Sequence, residues 1–476
     1  MMRTGAGSLA GLQSLLGPAQ FITSESEMEP FLVDHRKLYR GKALAVVLPR
    51  SVEDVSRILR FCSDARIGVV PHAGNTSYCG GATPDESGTQ LVLSLRRLNR
   101  IRLVDALNSA ITVDAGCILA NVQEAARESN LFFPLSLGSE ASCQIGGNIA
   151  TNAGGMNVLR YGMMRDLLLG LEVVTADGKV LSSLTPLRKD NTGYDLKSLF
   201  VGSEGTLGVI TAACLKLFPA PRSTATALVA VADVAAAVAL LHQLRQQSGD
   251  AVNSFELIPR SAMELALQHI TGLASPFDQP YAWCVLAELS SARSDDDLDH
   301  LLATALAAAE GRGQVLDAVI AKSDRERAQF WRLRENIPEA QRKHGASLKH
   351  DISVPVASLP EFMARAGAWV QANVPEGLLV AYGHVGDGNL HFNISVAEAG
   401  SAVSFLAREP QIKRVIHDMV RDFGGSFSAE HGIGRLKIAE LAHYCSHAEL
   451  SLMRSIKAAF DPRGIMNPGK MLAPIS

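Results

Sequence analysis

The chain has 476 residues, of which 47% are hydrophobic and 20% charged, and its net charge is −3. This length exceeds one ordinary hydrophobic core, so two or three domains are expected, and the composition excludes a disordered chain. The near-neutral charge, without a cluster of basic residues, excludes nucleic-acid binding as the main role.

Seven cysteines are scattered along the chain and form no C-x-x-C pair. This pattern indicates buried, small apolar residues in a reducing compartment, not a disulfide framework or a zinc ribbon. Residues 1–17 carry one arginine and no long apolar segment, so neither a signal peptide nor a membrane span is expected. We therefore predict a cytoplasmic protein and leave peripheral association with a membrane open.

The first elements in chain order form a βαβ unit. Residues 1–40 indicate a short helical lead-in, and the apolar run at 43–48 predicts a strand. Ser51, followed three residues later by Asp54, is typical of a helix N-terminus. A second apolar strand at 67–70 completes the unit.

Two glycine-rich segments follow. The loop at 71–81 is rich in Gly, Asn, Thr and Ser, which allows backbone N–H groups to point at a phosphate, although a plain surface loop has a similar composition. The segment at 138–155 is denser in glycine and small residues. Such residues fill a core poorly but let the backbone lie directly on a flat or phosphate-bearing ligand. The spacing is not G-x-G-x-x-G, so a Rossmann fold is not supported.

Later elements predict antiparallel sheets. Apolar residues at 169–175 and 180–181 flank Asp177-Gly178, which predicts a hairpin with an Asp-Gly turn. After residue 219, strands alternate with Ala- and Leu-rich helices, which favours an antiparallel α+β cap with those helices packed on its core.

Two histidine clusters suggest a metal site. His384 and His391 flank a tight glycine turn, and Glu430-His431 precedes another glycine. Imidazole nitrogen and carboxylate oxygen are suitable ligands for Zn²⁺ or Mn²⁺. The spacing is not H-E-x-x-H, so a zincin helix is excluded, but a metal-dependent hydrolase of another kind could use the same residues.

Taken in order, these segments resemble the vanillyl-alcohol oxidase/p-cresol methylhydroxylase (PCMH) superfamily, most closely its FAD-linked D-2-hydroxyacid dehydrogenases. The resemblance spans about residue 40 to the C-terminus. It implies an α+β fold: a two-subdomain FAD-binding domain of the PCMH type, an antiparallel α+β (ferredoxin-like) substrate cap and a short C-terminal helical segment. The implied boundaries are 1–40 for the lead-in, 41–218 for the FAD-binding domain, 219–425 for the cap, and 426–476 for a segment returning to the flavin.

The resemblance also implies non-covalent FAD, since His72 does not sit in the usual flavinylation pattern. The loop at 73–81 would wrap the pyrophosphate, 137–151 would line the flavin and ribityl chain, and 204–210 would complete the adenine side. A G-x-x-x-x-G-K match at 464–470 is rejected as a P-loop, because Pro468 removes a phosphate-facing N–H. The residues implied to bind FAD are Ala73, Gly74, Asn75, Thr76, Ser77, Gly81, Leu137, Gly138, Ser142, Gly146, Gly147, Asn148, Thr151, Glu204, Gly208, Ile210 and Asn467.

On this scaffold we predict that His384, His391 and Glu430 hold a divalent ion, Zn²⁺ or alternatively Mn²⁺. The ion would bind the 2-hydroxyl and 1-carboxylate of the substrate and lower the pKa of the hydroxyl. Asn393 would orient the carboxylate. His431 would accept the hydroxyl proton as general base, and hydride would pass from C2 to flavin N5.

The substrate follows from Arg334 and Lys349, which match positions that hold the distal carboxylate in the D-2-hydroxyglutarate branch, although basic residues often just form a solvated helix face. Pro338 replaces a threonine of that branch and leaves the substrate open. We predict oxidation of D-2-hydroxyglutarate, or of D-malate, to the 2-oxoacid; a D-lactate dehydrogenase or glycolate oxidase subunit with the same mechanism is the alternative. Expected partners are the small 2-hydroxyacid, an electron acceptor such as an electron-transfer flavoprotein or a quinone, and a second copy in a homodimer. A non-catalytic subunit of a larger flavoprotein complex is a third hypothesis.

Overall fold

A computed structural model describes residues 5–397 and 399–473 of the chain. Residues 1–4 of the predicted lead-in and 474–476 of the predicted C-terminal segment lie outside the described residues. The chain forms two compact units. Unit 1 comprises Met1–Gly155, Gly162–Ala220 and Glu430–Ser476, and unit 2 comprises Met156–Tyr161 and Pro221–Ala429.

The described residues form a mixed α+β fold, as predicted. The strands are β1 Phe21–Ile22, β2 Ala45–Val47, β3 Val69–His72, β4 Leu91–Ser94, β5 Ile101–Asp105, β6 Ala110–Asp114, β7 Leu131–Phe132, β8 Leu168–Val174, β9 Val180–Ser183, β10 Val209–Lys216, β11 Phe218–Pro219, β12 Ser223–Val231, β13 Val252–Pro259, β14 Trp283–Ser291, β15 Val315–Ile320, β16 Ala346–Leu348, β17 Asp351–Ser353, β18 Leu378–His384 and β19 Asn389–Val396.

Helices connect most of these strands, and short 3-10 turns lie at Pro18–Gln20 and Val356–Ser358. The α-helices are α1 Gly5–Leu16, α2 Glu25–Leu32, α3 Val52–Ala65, α4 Leu119–Glu128, α5 Ile145–Ala150, α6 Val158–Tyr161, α7 Met164–Leu167, α8 Lys197–Phe200, α9 Val234–Ser248, α10 Arg260–His269, α11 Leu298–Glu310, α12 Asp324–Glu335, α13 Ile337–His344, α14 Leu359–Asn373, α15 Ala399–Ala407, α16 Glu409–Asp422, α17 Ile438–Tyr444 and α18 His447–Phe460.

The first sheet of unit 1 has the strand order β1-β2-β4-β3. Strands β2, β4 and β3 are parallel, and α3 connects β2 to β3. The α3 N-terminus is capped as predicted, because the hydroxyl of Ser51 accepts the Asp54 N–H at 3.1 Å. The predicted βαβ unit is present, but β4 lies between its two strands.

The second sheet of unit 1 is antiparallel, in the order β5-β6-β10-β8-β9. Strands β8 and β9 form the predicted hairpin, and Gly178 takes a positive φ of 78° in its turn. The C-terminal segment also belongs to unit 1: Val69 donates to Ile465 O at 2.7 Å, and Asn467 donates to Val69 O at 2.8 Å. The chain end therefore extends the edge of the β3 strand, next to the glycine loop that follows β3.

Unit 2 is built on one eight-stranded sheet in which all the strand pairs are antiparallel. Alternate residues face opposite sides: Val229 and Phe255 belong to a core with α9, α11, α14 and α16, while Leu228 and Ile258 belong to a core with α10, α12 and α13. Helices therefore cover both faces of the sheet. The antiparallel α+β cap predicted from the sequence is confirmed.

A short excursion of the chain joins unit 2. Residues 156–161, which the sequence analysis placed in the FAD-binding domain, leave unit 1 and return to it at Gly162. Arg160 Nη1 donates to Ser290 O at 2.6 Å and to Asn253 Oδ1 at 3.0 Å, and Ser254 Oγ donates to Met156 O at 2.8 Å. The segment is thus bonded to strands β13 and β14.

All seven cysteines are free thiols, and six of them are buried. Burial raises the pKa of Cys62, Cys117 and Cys284 to about 12. These thiols stay protonated at neutral pH and behave as small apolar side chains, as predicted.

Candidate functional site

The two glycine-rich segments of unit 1 pack directly against each other. A Cβ on Gly74 would lie 2.4 Å from Ser142 O, and a Cβ on Gly147 would lie 2.9 Å from the Cβ of Ala73. Any side chain at Gly74 would therefore push the two segments apart. The structure brings together the loops that the sequence assigned to the pyrophosphate and to the flavin.

The loop after β3 is held by one asparagine. Asn75 adopts a left-handed conformation (φ 54°), and its Nδ2 donates to Val33 O at 2.8 Å. The short polar side chain of asparagine tolerates this conformation better than most residues do. Asn75 therefore shapes the loop by bonding to the residues that follow α2.

We call the loops at 73–81 and 137–151 together the cradle. Glu204 and Asn467 connect three further segments of unit 1 to it, around residues 204, 433 and 467. Glu204 (φ 52°) accepts the N–H groups of Ile433 and Gly434, each at 2.7 Å. Asn467 Nδ2 donates to Gly81 O at 2.9 Å and to Glu204 O at 2.7 Å. Both oxygens of the Glu204 carboxylate accept hydrogen bonds from the 432–434 loop, so the observed role of Glu204 is structural. The contact of Glu204 with the adenine side, implied by the resemblance, stays a prediction.

The cradle and the segments connected to it contain two buried amide oxygens that accept no hydrogen bond from the described residues. They are Gln144 Oε1, at the N-cap of the short helix α5, and Asn467 Oδ1. Buried polar groups are normally hydrogen-bonded. Two unsatisfied oxygens beside two glycine loops with little side-chain bulk fit a bound molecule with hydroxyl and N–H donors, as FAD has on its ribityl chain and flavin ring.

The other residues implied to bind FAD also lie in unit 1. Leu137, Gly138 and Ser142 lie in the loop between β7 and α5, and a Cβ on Gly138 would meet open space. Thr151 Oγ1 donates to Gly147 O at 3.0 Å. The remaining positions are Thr76 and Ser77 in the loop after β3, Gly146 and Asn148 within α5, Gly208 just before β10 and the buried Ile210 within it.

His72, the last residue of β3, is buried next to this loop without a hydrogen-bond partner among the described residues. Its ring lies 5.1 Å from that of Phe31, and the guanidinium carbon of Arg96 lies 4.3 Å from the centre of the Phe31 ring. Burial, assisted by the charge of Arg96, lowers the pKa of His72 from 6.5 to about 4. The folded protein therefore holds His72 neutral.

We expect His72 to make unit 1 less stable in acid. Between pH 6.5 and 4 the unfolded chain binds a proton here and the folded chain does not, so stability falls as the pH decreases through this window. The loss between pH 7.5 and 5 is about 2 kcal/mol. Urea unfolding, monitored by the release of the flavin, gives the midpoint at each pH. The decrease in stability from pH 7.5 to 5 should be smaller in His72→Leu than in the wild type. His443→Leu, at an exposed histidine of α17, is the control, and equal acid losses in all three proteins would contradict the expectation.

A polar band lies on one face of the unit 2 sheet. Val380 and Tyr382 of β18 face the core with α10, α12 and α13, so His384, two residues on, faces the same side. Leu390 and Phe392 of β19 belong to the opposite core, which turns His391 and Asn393 toward the first side. The alternation of the two strands thus places all these polar side chains on one face.

The two histidines predicted to bind metal are neighbours on this face. Their ring centroids are 5.7 Å apart, and a ring nitrogen of His384 lies within 4.8 Å of one of His391. The turn between them requires Gly388, which has a φ of 81° and whose Cβ would lie 2.0 Å from Val354 O. The geometry is suitable for two imidazoles on one divalent ion.

A buried carboxylate that the sequence analysis did not identify connects this pair to Arg334. Glu256 of β13 lies opposite His384 in the strand pair and is 1% exposed. Its Oε1 is 2.6 Å from His384 Nδ1, and its Oε2 accepts from Arg334 Nε at 2.7 Å. Burial alone would raise the pKa of Glu256, but His384 and Arg334 lower it to about 2. The carboxylate is therefore ionised and paired on both oxygens.

Arg334 itself is buried in α12, with its guanidinium 4.8 Å from the ring centre of Tyr382. Burial of Arg334 excludes the alternative of a solvated helix face, whereas Lys349, between β16 and β17, is exposed. The contacts predicted for both residues with the substrate stay predictions. Pro338 lies in the first turn of α13, where a missing N–H costs no helical hydrogen bond. The proline that stands here in place of the threonine of the D-2-hydroxyglutarate branch is therefore compatible with the helix.

The amide of Asn393 is held by the protein. Its Oδ1 accepts the His350 N–H at 3.2 Å, and its Nδ2 donates to Gln341 Oε1 at 3.0 Å. An amide NH₂ has two hydrogens, and the bond to Gln341 uses one. These bonds fix the orientation of Asn393; its predicted contact with the substrate carboxylate stays a prediction.

Glu430 and His431 open the last segment of unit 1. His431 Nε2 is 3.5 Å from Glu430 Oε1, and its ring lies 4.7 Å from that of Tyr78, which the sequence analysis did not single out. Burial raises the pKa of Tyr78, and the charge of Glu430 raises it further. The bonds from Glu204 to Ile433 and Gly434 hold the loop immediately after this histidine.

Comparisons with known proteins decide the family. Residues 220–471 match the profile of the FAD linked oxidases, C-terminal domain, and residues 43–183 match that of an FAD binding domain. The chain belongs to the FAD-linked oxidases, in their D-2-hydroxyacid dehydrogenase branch. It is an FAD-dependent enzyme, which decides against the metal-dependent hydrolase and the non-catalytic subunit.

Relatives cover nearly the whole chain. The chain is 37% identical over 464 residues to the mitochondrial D-2-hydroxyglutarate dehydrogenase of Arabidopsis thaliana, covering 97% of this chain and 80% of that protein. It is 38% identical to the Bos taurus protein of the same name, with coverages of 98% and 83%. The crystal structure of p-cresol methylhydroxylase with substrate bound shares the fold at 18% identity, with a TM-score of 0.77 and coverages of 98% and 96%.

The predicted cytoplasmic location is wrong by these comparisons, because the plant and bovine relatives are named mitochondrial. Scattered reduced cysteines and the charge of the N-terminus did not distinguish one reducing compartment from another. Within the described ranges, no helix has both the length and the apolar character needed to cross a membrane.

Proposed function

We propose that this enzyme oxidises D-2-hydroxyglutarate to 2-oxoglutarate. The observation that carries the proposal is the buried Arg334 on the same face of the unit 2 sheet as His384 and His391. A guanidinium presents several N–H groups in a fork that matches a carboxylate. A second carboxylate on the substrate would therefore have a dedicated partner, and the names of the plant and bovine relatives support the same substrate.

The chemistry is shared between cofactor and chain. FAD, held by the cradle of unit 1, supplies the hydride acceptor at flavin N5. Arg334, assisted by the exposed Lys349, binds the distal carboxylate, and Asn393 orients the carboxylate next to the reacting carbon. His431 accepts the proton of the 2-hydroxyl at a ring nitrogen.

We also propose a divalent ion at His384 and His391, with Glu430 as third ligand. Two imidazoles and a carboxylate favour Zn²⁺, and Mn²⁺ is the alternative. An ion there would polarise the substrate hydroxyl as a Lewis acid. Ala429, the last residue of unit 2, donates to Asp351 O, and Asp351 lies opposite His391 in the β17–β19 pair. Glu430 is the next residue of the chain, which supports its assignment as ligand.

Anaerobic addition of D-2-hydroxyacids tests the substrate. We expect D-2-hydroxyglutarate to bleach the flavin most efficiently, followed by D-malate. D-lactate and glycolate lack a distal carboxylate. Their ratio of flavin reduction rate to Kd should be roughly 10- to 100-fold lower than that of D-2-hydroxyglutarate, as expected for the loss of a charged hydrogen bond. Arg334→Gln should reduce this preference, while the matched control Arg332→Gln, at an exposed position of α12, should keep it. Equal efficiency of D-lactate and D-2-hydroxyglutarate in the wild type would contradict the proposal.

Two partner assignments stay predictions. An electron-transfer flavoprotein or a quinone as electron acceptor, and a homodimer, are compatible with the chemistry of a reduced flavin. The rate at which each acceptor reoxidises the reduced flavin would test the first assignment. The mass of the protein in solution would test the homodimer.

A further inference from the structure

The carboxylate of Glu256 has a position that the proposed reaction does not by itself explain. Glu256 lies in a strand whose residues are all buried, and each of its two oxygens bonds to a different functional group. Oε1 bonds to His384, a proposed metal ligand, and Oε2 bonds to Arg334, the proposed partner of the distal carboxylate. A buried charge needs such pairing, but it does not need these two partners.

The bond to His384 determines which ring nitrogen can bind a metal. An ionised carboxylate only accepts, so Nδ1 must carry the hydrogen. The lone pair then resides on Nε2, and the carboxylate also fixes the ring orientation and increases the basicity of the imidazole. Glu256 therefore prepares His384 as an Nε2 ligand.

The bond to Arg334 restrains the guanidinium in the same way. Nε is the N–H nearest the side-chain stem, and its bond to Oε2 together with the stacking on Tyr382 fixes the plane of the group. The terminal NH₂ groups carry the other four N–H donors of an arginine. A fixed plane lowers the entropy cost of binding a carboxylate through them.

We propose that Glu256 is a positioning residue that couples metal binding to recognition of the distal carboxylate, because one rigid carboxylate aligns both His384 and Arg334. This inference rests on the proposed function. It adds that metal binding at His384 and carboxylate recognition by Arg334 both depend on Glu256, so that a substitution of Glu256 weakens both.

Glutamine at this position separates the two roles. Its side chain keeps the shape but offers one oxygen and one NH₂ group, whereas Glu256 meets two donors. If the oxygen faces Arg334, the NH₂ faces Nδ1, and the hydrogen of the imidazole must move to Nε2, where it blocks a metal. If the oxygen faces His384, the NH₂ opposes the Nε–H of Arg334 and displaces the guanidinium.

The test measures Zn²⁺ affinity of the FAD-loaded full chain by competition with a chromogenic chelator, and KM and kcat at saturating Zn²⁺. We expect Glu256→Gln to bind Zn²⁺ about 10- to 100-fold more weakly. Its KM for D-2-hydroxyglutarate should rise relative to that for D-lactate, which has no distal carboxylate. Glu288→Gln is the matched control: this carboxylate of the adjacent strand β14 also bonds two side chains, Thr226 and Trp331, and should leave both quantities unchanged.

Glu256→Asp keeps the charge but is one methylene too short to span both partners, and it carries the test if Glu256→Gln does not fold. A purely structural role would lower the melting temperature and leave Zn²⁺ affinity and the KM ratio as in the Glu288→Gln control, which would overturn the inference. Zn²⁺ binding that is lost in His384→Ala but retained in both Glu256 variants would overturn this inference alone. Absence of Zn²⁺ and Mn²⁺ binding in the wild type would instead overturn the proposed metal site and this inference with it.

Discussion

Replacing His431 by alanine should leave FAD bound and slow the reduction of the flavin by substrate by about 10²- to 10⁴-fold, the usual contribution of a general base. The proposed FAD cradle is formed by the loops after β3 and before α5, which contact each other through Gly74 and Ser142 and through Ala73 and Gly147. The loop after His431 is held by Glu204 through backbone N–H groups, which alanine retains. The substitution should therefore remove the proposed proton acceptor and its ring contact with Tyr78, while the backbone of the loop stays bonded.

Stopped-flow absorbance at the flavin band measures this rate directly, under anaerobic conditions and with saturating D-2-hydroxyglutarate. His443→Ala, an exposed histidine of α17 in the same C-terminal segment, should reduce its flavin at the wild-type rate. Partial recovery of the His431→Ala rate by added imidazole would support the role in proton transfer. A variant that reduces its flavin almost as fast as the wild type would show that His431 is not the base.

Loss of the proposed divalent ion should have an effect of similar size. We expect His384→Ala and His391→Ala to retain FAD, to contain little metal, and to reduce the flavin at least about 10²-fold more slowly. Polarisation by a Lewis acid contributes several kcal/mol, and each 1.36 kcal/mol corresponds to a factor of ten in rate. The two imidazoles are neighbours on one sheet face, so removal of either one leaves an incomplete ligand set.

Metal analysis of each purified protein, combined with flavin reduction before and after treatment with a chelator, checks this expectation. Chelation of the wild type should mimic the alanine variants, and Zn²⁺ or Mn²⁺ should restore the rate of the wild type but not of the variants. His300→Ala, an exposed histidine of α11 in the same unit, is the control for histidine loss. Full activity of metal-free wild type would exclude a catalytic ion.

Local features of the fold followed from the sequence because their causes are local. The Asp177-Gly178 turn joins two strands that pair with each other, and Ser51 caps a helix that starts at the next residue. The insertion of β4 between β2 and β3 has no such signal, since it depends on which strands bury the most apolar surface together. The same limit applies to the excursion at 156–161, which bonds to unit 2 through residues 93 and 130 positions away in the chain.

The candidate site was predictable where a glycine or a histidine marks it. Motif order identified the cradle loops and the His384–His391 pair, whereas Glu256 was missed because its partners are 128 and 78 residues away in the chain. One signal was available: a single carboxylate in the otherwise uncharged segment 252–259, which a buried strand tolerates only with partners. Arg334 was predicted to bind an anion, which stays a prediction, whereas its internal partner Glu256 could not be read from the sequence.

The excursion of residues 156–161 affects how this protein can be divided. The polypeptide passes between the two units four times, at 155/156, 161/162, 220/221 and 429/430. A fragment of residues 221–429 would lack Arg160 and leave the Ser290 carbonyl and the Asn253 amide oxygen without their guanidinium partner. The cap is therefore not one continuous stretch of chain that can be expressed alone. Exchange of caps between relatives would need to transfer this six-residue segment as well.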